Sequence, residues 1–468
     1  MIQILMIADD FTGALDTGVQ LAATGAKTRV ITSSTSDLSQ SGQDAEVLVV
    51  DAETRHLPKE RAFDVVKGIV QQAIQMGIPH IYKKTDSALR GNIGAELEAL
   101  MEASGEGQLP FLPAFPQIGR KTVNGIHYIE GIPVAESVFG QDPFEPVKHS
   151  GISNLIAEQS RVPVYCATPG QRPEPGQQGI IAYDAERVED LEATGRMLVK
   201  AGMVHILAGC AGFGAVLPSL LGIGNGSLVS CPPLSERMLV VCGSVNPITL
   251  AQLDMAEKAG FLRLRLTSEQ KLEAGYWQSE RGERDLAQMR SLLEENPRMI
   301  IDVNESRGRD ETGAYAQRHQ MKLEDIRIGI SQAIGHIVSG LFSCPALGTL
   351  LVTGGDTLLQ CMETMHVKEV EPVCELASGV VLSRFTYNGY TRQVISKSGG
   401  FGSPTLLLEM SGLGKAANQE KEAQAWTTKP CLPRPWRGGA SRHLDFPATR
   451  QSARRTRIAN GTALPGRR

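Results

Sequence analysis

The chain of 468 residues is 41% hydrophobic and 21% charged with a formal net charge of −4, the composition of an ordinary globular enzyme and not of a nucleic-acid or anionic-membrane binder. At roughly 100–200 residues per domain its length calls for at least one internal boundary, and no apolar run approaches the roughly 18 residues of a membrane span. The eight cysteines are scattered without a CxxC pair, several inside apolar runs such as LVVCGS, and read as reduced core thiols of a cytoplasmic protein.

The opening MIQILMIADD lacks a basic n-region and turns acidic after eight residues, so 2–8 is predicted to be a buried first strand and not a signal peptide. A segment of helical period, FTGALDTGVQLAATG, follows and ends at Gly25. Strands are predicted at 27–31, 45–50, 80–83, 108–112, 179–183 and 204–207, several followed by helix-like stretches; this alternation belongs to a mostly parallel, doubly wound α/β sheet. The stretch LLGIGNGSLVSCPPLSER breaks the pattern before the strong strand MLVVCGS and sets a domain boundary at 232/233. Strands at 238–242, 262–266, 299–303 and 347–352, with a long helix over LEDIRIGISQAIGHIVSGLF, predict a second α/β domain over 233–410. From 411 to 468 apolar periodicity gives way to a basic, Pro- and Arg-rich tail with 3 Lys and 9 Arg against 2 Glu and 1 Asp, read as solvated disorder in preference to a nucleic-acid arm.

In open α/β sheets ligands bind beyond the carboxyl ends of strands, and four clusters lie there. In Asp9-Asp10-Phe11-Thr12-Gly13 one carboxylate can cap the next helix while the other faces the crevice to hold a hydroxyl or a metal. In Asp51-Ala52-Glu53-Thr54-Arg55 the guanidinium suits a carboxylate ligand, against the plainer alternative of a surface pair with Glu53. The run from Lys83 to Asn92 concentrates Lys84, Thr85, Asp86, Ser87 and Arg90 between a strand and a helix; its cations suit an anionic substrate, and Asp86 could accept or orient the proton of an attacking hydroxyl. The Gly- and Pro-bearing 113–125 that follows reads as an ordered loop or flap near the substrate.

The fourth cluster comprises three small-residue turns in the second half: Cys242-Gly243-Ser244-Val245-Asn246-Pro247, Thr353-Gly354-Gly355-Asp356-Thr357, and Lys397-Ser398-Gly399-Gly400-Phe401-Gly402. Each can bring backbone N–H groups close to phosphate. A Walker A run is absent, and Gly212-Phe213-Gly214-Ala215 lacks the third glycine of a dinucleotide fingerprint and reads as tight helix packing. HExxH, GxSxG and paired-Cys zinc motifs are also absent.

ADDFTGALDTG, KKTDSALRGN, PAFPQIGRKTVNGIHYIEGIPV, VTGGDT and KSGGFG, in this order, together resemble the four-carbon acid sugar kinases over about residues 1–408. The resemblance implies a first domain for a tetronate-type acid, a second for ATP, and transfer of the γ-phosphate to the acid's 4-hydroxyl across the cleft between them. Carried over by motif, Asp10, Arg55 and the run from Lys84 to Ser87 are expected to contact substrate, and Ser244, the turn from Gly354 to Thr357 and Gly400 to contact ATP. The tail does not resemble the family.

The expected mechanism has Arg55 and Lys84 on the carboxylate, Asp10 and Asp86 on hydroxyls with Asp86 as proton acceptor, and Mg²⁺ on the phosphates. D-threonate is the first choice of substrate and D-erythronate or a 3-oxo-tetronate the second. No nucleic-acid or membrane partner is expected, and a homodimer is left open. Two rivals stand beside this reading: a non-catalytic sugar-acid sensor using the basic tail on nucleic acid, and an NAD-linked hydroxy-acid dehydrogenase, weakened by the missing GxGxxG.

Overall fold

The computed structural model describes residues 1–32, 37–142, 145–226, 229–306 and 310–413, so the expectations for the tail beyond Leu413 and for Cys431 lie outside the described residues. Strands β1 (Ile4–Ala8), β2 (Thr28–Ile31), β3 (Val47–Asp51), β4 (His80–Lys84), β5 (Gln108–Leu112), β6 (Arg120–Val123), β7 (Ile126–Ile129), β8 (Ile132–Pro133), β9 (Val164–Ala167), β10 (Gly179–Tyr183) and β11 (Ile206–Gly209) form the first half. The second carries β12 (Met238–Cys242), β13 (Leu262–Arg265), β14 (Arg298–Asp302), β15 (Thr349–Thr353), β16 (Glu369–Ala377), β17 (Val380–Tyr387) and β18 (Tyr390–Lys397).

All but β6, β7 and β8 join one sheet of order 13-14-12-15-18-17-16-2-3-1-4-11-5-10-9. Its central runs are parallel, with Ile4 opposite Val47 and His80 in the first half and Met238 opposite Arg298 and Thr349 in the second. The halves meet where β16 pairs antiparallel to β2. Alternation along β1 explains the layering: Ile4, Met6 and Ala8 face helix α1 (Phe11–Ala22) through Leu15 and Val19, while Leu5 and Ile7 pack with Val66, Ile69 and Leu97 on the other face. The first of these apolar clusters continues into Val241, Val352 and Leu358 of the second half, so α1 sits on the seam between the two.

Three expectations are corrected. The 113–125 stretch is not an irregular loop throughout, because Asn124 and Gly125 take left-handed φ values of 51° and 71° and turn β6 back into the β7 hairpin. β16, β17 and β18 form an antiparallel meander that the strand–helix alternation did not anticipate, closed at Asn388-Gly389 with φ of 49° and 81°. The cysteines are not uniformly reduced core thiols: Cys231, carried alongside β16 by the linker before β12, is disulfide-bonded to Cys374, and Cys166 is exposed. The Gly212–Gly214 run is buried against Ala114 and Thr17, as tight packing requires. Among the described residues no helix is long and apolar enough to cross a membrane.

Candidate active site

The C-terminal ends of both sets of strands open onto one cleft of roughly 430 Å³. Asp10, Arg55, Lys84, Asp86, Ser87 and Arg90 line it from the first half; Gly355, Gly399 and Gly400 line it from the second. Sequence-distant groups therefore converge because parallel strands deliver every following turn to the same edge.

Asp10, extended at φ −147° and ψ 158°, caps α1 by accepting the Gly13 N–H at 3.0 Å, leaving its second oxygen for Arg55 at 2.8 Å. Asp9 is buried and receives Arg55 Nε at 2.8 Å and Lys84 Nζ at 3.3 Å. Burial alone would raise its pKa, but Arg55 and Lys84 outweigh burial and lower it to about 2. Lys84 also lies 3.4 Å from Asp10 Oδ1. A Cβ at position 13 would overlap the Lys84 ammonium, which is why α1 carries glycine there.

Arg55 is not in a surface pair with Glu53, which instead accepts the Phe11 N–H at 3.1 Å. Asp86 accepts Arg90 Nε at 2.8 Å and Nη2 at 3.2 Å, with Arg55 3.9 Å away. Against the upward push of burial, these arginines hold its carboxyl far below the usual carboxylate range. Such a group holds and orients; it is a poor proton acceptor. Beneath the cleft the fully buried Lys83 and Glu96 pair at 3.0 Å, Thr54 donates to Glu96, and Asn92 Nδ2 holds the Thr54 and Leu57 carbonyls at 2.9 and 2.8 Å, fixing the turn that carries Arg55.

Arg120 on the hairpin lines the cleft beside Phe139, its guanidinium 5.1 Å from the ring centroid, and donates to the Ser87 hydroxyl. Among the described residues it has no carboxylate within salt-bridge distance, unlike Arg55, Lys84 and Arg90. Sequence reading placed the flap here without singling out this residue. It also missed Asp16, Gln20, Glu375, Ser378 and Gly379, which line the same cleft. The signals were available: Asp16 and Gln20 lie four and eight residues after Thr12 on α1, and Ser-Gly at 378–379 marks a turn between two strand-like runs.

The three glycine turns do converge. Gly354 donates its N–H to Lys397 O at 2.9 Å, a Cβ at Gly243 would overlap Thr357, and one at Gly399 would lie 2.8 Å from Ser244 Oγ. Helix 247–258, capped by Asn246, and helix 355–364 start from two of these turns and bring their positive N-terminal ends to that region. Ser244 and Thr357 thus stand behind the cleft wall, Thr85 is buried below it, Asp356 is exposed at its margin, and Gly402 lies past it against Leu406. Lys397 is wholly buried under the third turn, donating to Thr249 Oγ1 at 3.2 Å and Ser398 O at 3.0 Å, and burial lowers its pKa to about 8. Among the described residues no group of three or more His, Cys, Asp or Glu is arranged to hold a metal ion.

A family model described as a sugar-binding N-terminal domain matches residues 4–217, and one described as a nucleotide-binding C-terminal domain matches residues 239–407. Fold and family models together define an α/β enzyme whose first half matches a sugar-binding and whose second half matches a nucleotide-binding domain family. The chain is 29% identical over 425 residues to a D-threonate kinase of Salmonella typhimurium, covering 87% of this chain and 97% of that one. It is 24% identical over 421 residues to a D-erythronate kinase of Heliobacterium modesticaldum, covering 86% and 94%. A solved structure from Salmonella typhimurium LT2 superposes with a TM-score of 0.71 at 20% identity, over 86% of this chain and 98% of that one. One from Haemophilus influenzae gives 0.68 at 18%, over 87% and 99%; both show the same fold. The chain belongs to the four-carbon acid sugar kinase family and is a phosphotransferase.

Proposed function

We propose that this protein is an ATP-dependent kinase that phosphorylates the 4-hydroxyl of a four-carbon sugar acid, with residues 1–232 holding the acid, 233–410 the nucleotide, and the cytoplasm as its compartment. The observation that carries this reading is the single cleft with a cationic, carboxylate-bearing wall on one side and glycine turns on the other. D-threonate is the preferred acid, since relatives so named are 29% and 25% identical over most of the chain; D-erythronate and 3-oxo-tetronates, after other relatives, are the alternatives.

Arg120 and Lys84 hold the acid's carboxylate, the first because it lacks a carboxylate partner, the second because its contacts at 3.3 and 3.4 Å are long enough to exchange. Arg55 fixes Asp9 and Asp10, and Asp10, with Asp86, orients the hydroxyls. Gly355, Gly399 and Gly400 let the triphosphate approach backbone N–H groups, with Ser244 and the Asp356-Thr357 turn supporting them and Gly402 shaping the exit of the third turn. The described residues do not assemble a protein cage for Mg²⁺, so the ion enters as part of the Mg-ATP substrate, its usual mode with nucleotides. Catalysis then rests chiefly on positioning and electrostatics.

The test is ADP release from Mg-ATP with D-threonate, D-erythronate, L-threonate and 3-oxo-tetronates. Turnover with one acid establishes the reaction and its substrate. ATP binding without turnover on any of them refutes it, and salt-dependent DNA binding in its place supports the sensor reading.

A further inference from the structure

Helix α1 directs Thr12, Gly13, Asp16 and Gln20 into the cleft, and Asp16 differs from every other acid there. Asp9, Asp10 and Asp86 are each ion-paired to Arg or Lys, Glu53 accepts the Phe11 N–H, and Glu375 accepts Gln20 Nε2 at 2.8 Å. Among the described residues no hydrogen bond or ion pair engages the Asp16 carboxylate. Asp16 lines the cleft together with Gly355, whose Cβ would overlap Thr12 one turn earlier on α1, and with the Ser378-Gly379 turn of the other wall, while Lys84 of β4 acts on its charge.

We infer that Asp16 is the group that accepts the proton of the attacking hydroxyl. This rests on the kinase reading above and replaces Asp86 in that role. In the step, the acid's hydroxyl oxygen forms a bond to the γ-phosphorus, the bond from that phosphorus to the β,γ-bridging oxygen breaks, and ADP leaves with the electron pair. The hydroxyl proton passes to an Asp16 carboxylate oxygen and is later released to solvent.

Asp16 is also suited in basicity. Burial pushes its carboxyl up to about 7, with Lys84 opposing and Asp10 and Glu375 adding to the rise. Those three are the charged groups that face it; Gly355 and the Ser378-Gly379 turn bring no titratable side chain. A proton acceptor works best when its pKa lies near the working pH, which Asp9 and Asp86, held far lower, do not satisfy.

The experiment is steady-state ADP release by wild type, Asp16→Asn and Asp16→Glu from pH 5.5 to 9 with the acid found active, alongside equilibrium ATP binding as a check on folding. The wild type is expected to lose kcat/KM about tenfold per pH unit below a midpoint near 7. Asp16→Asn is expected to lose roughly 10²–10⁴-fold in kcat, to keep KM within about threefold, and to lose the acid limb, with part of the rate recovered by Asp16→Glu. An Asp16→Asn protein within about threefold of wild type, with the acid limb intact, overturns the assignment and leaves the kinase reading standing. A wild type that binds ATP but turns over no acid overturns the kinase reading and the assignment with it.

Discussion

Replacing Asp16 by Asn should make the protein more stable at pH 8, a consequence that does not depend on any substrate. The folded chain keeps the Asp16 proton up to about pH 7, whereas an unfolded chain releases it near 3.8. Between those values the folded state binds more protons, so stability falls as pH rises; the contribution is complete below about pH 4 and gone above about pH 7. A rise from 3.8 to about 7 corresponds to about 4 kcal/mol. Water reaching Asp16 from the cleft reduces the expected effect to about 2–4 kcal/mol in favour of Asn at pH 8. Urea denaturation of both proteins at pH 4.5 and pH 8 measures it. The Asn advantage should shrink below about 1 kcal/mol at pH 4.5. An advantage equal at both pH values, or a variant less stable at pH 8, refutes the reasoning that the cleft imposes an uncompensated charge on Asp16.

Other substitutions probe the frame around it. Glu96→Gln leaves the wholly buried Lys83 ammonium without its carboxylate and should cost about 3–5 kcal/mol by urea denaturation, while Lys83→Met with Glu96→Leu should recover most of the loss. A double variant no more stable than Glu96→Gln would refute this. Gly355→Ala drives a methyl into Thr12 at the seam and should cost about 1–3 kcal/mol and raise the KM for ATP, with Thr12→Ala restoring part of both; an unrelieved double variant would refute the steric account. Asp9, lowered to about 2, acts with the opposite sign to Asp16: about 2 kcal/mol of stability present above pH 4 should fade as pH falls towards 2, and Asp9→Asn should flatten that part of the wild-type urea profile.

Much of the fold was legible because periodicity survives packing. Strands predicted at 108–112, 179–183 and 238–242 and the helix over 323–342 coincide with the observed elements, the strands because they are largely buried apolar runs, the helix because its apolar residues recur with helical period and bury one stripe from Ala333 to Phe342. β16, β17 and β18 were missed because the first half sets an expectation of strand–helix alternation; Asn388-Gly389 was the local cue against it. Within the site, grouping residues by the strand they follow brought out Asp10, Arg55, Lys84 and Asp86. It could not reveal that Arg55 holds Asp9 and Asp10, because that ion pairing joins residues 46 and 45 positions apart. Arg120 and Asp16 escaped the same rule because neither lies in the turn after a strand of the large sheet: one sits on a hairpin, the other in the second turn of a helix.

That difference bears on how the cleft divides its labour. Asp9, Asp10 and Asp86 offset Arg55, Lys84 and Arg90, so the core of the cleft wall proposed for the acid is close to electrically neutral and its side chains are held by mutual pairing. Paired charges of this kind fix geometry but have little left to give a reacting atom, since each proton or lone pair is already committed. Attraction for an anionic substrate then falls chiefly to Arg120, the lining cation without a carboxylate partner among the described residues, with Lys84 assisting through its long contacts, and proton transfer to Asp16, the lining acid that no hydrogen bond or ion pair engages among those residues. The wall proposed for the nucleotide needs neither, because glycine turns and two helix N-termini can offer N–H groups without adding formal charge. On this argument, substitutions within the paired set should show first as lost stability or position, whereas Arg120 and Asp16 should show first as lost acid affinity and lost turnover.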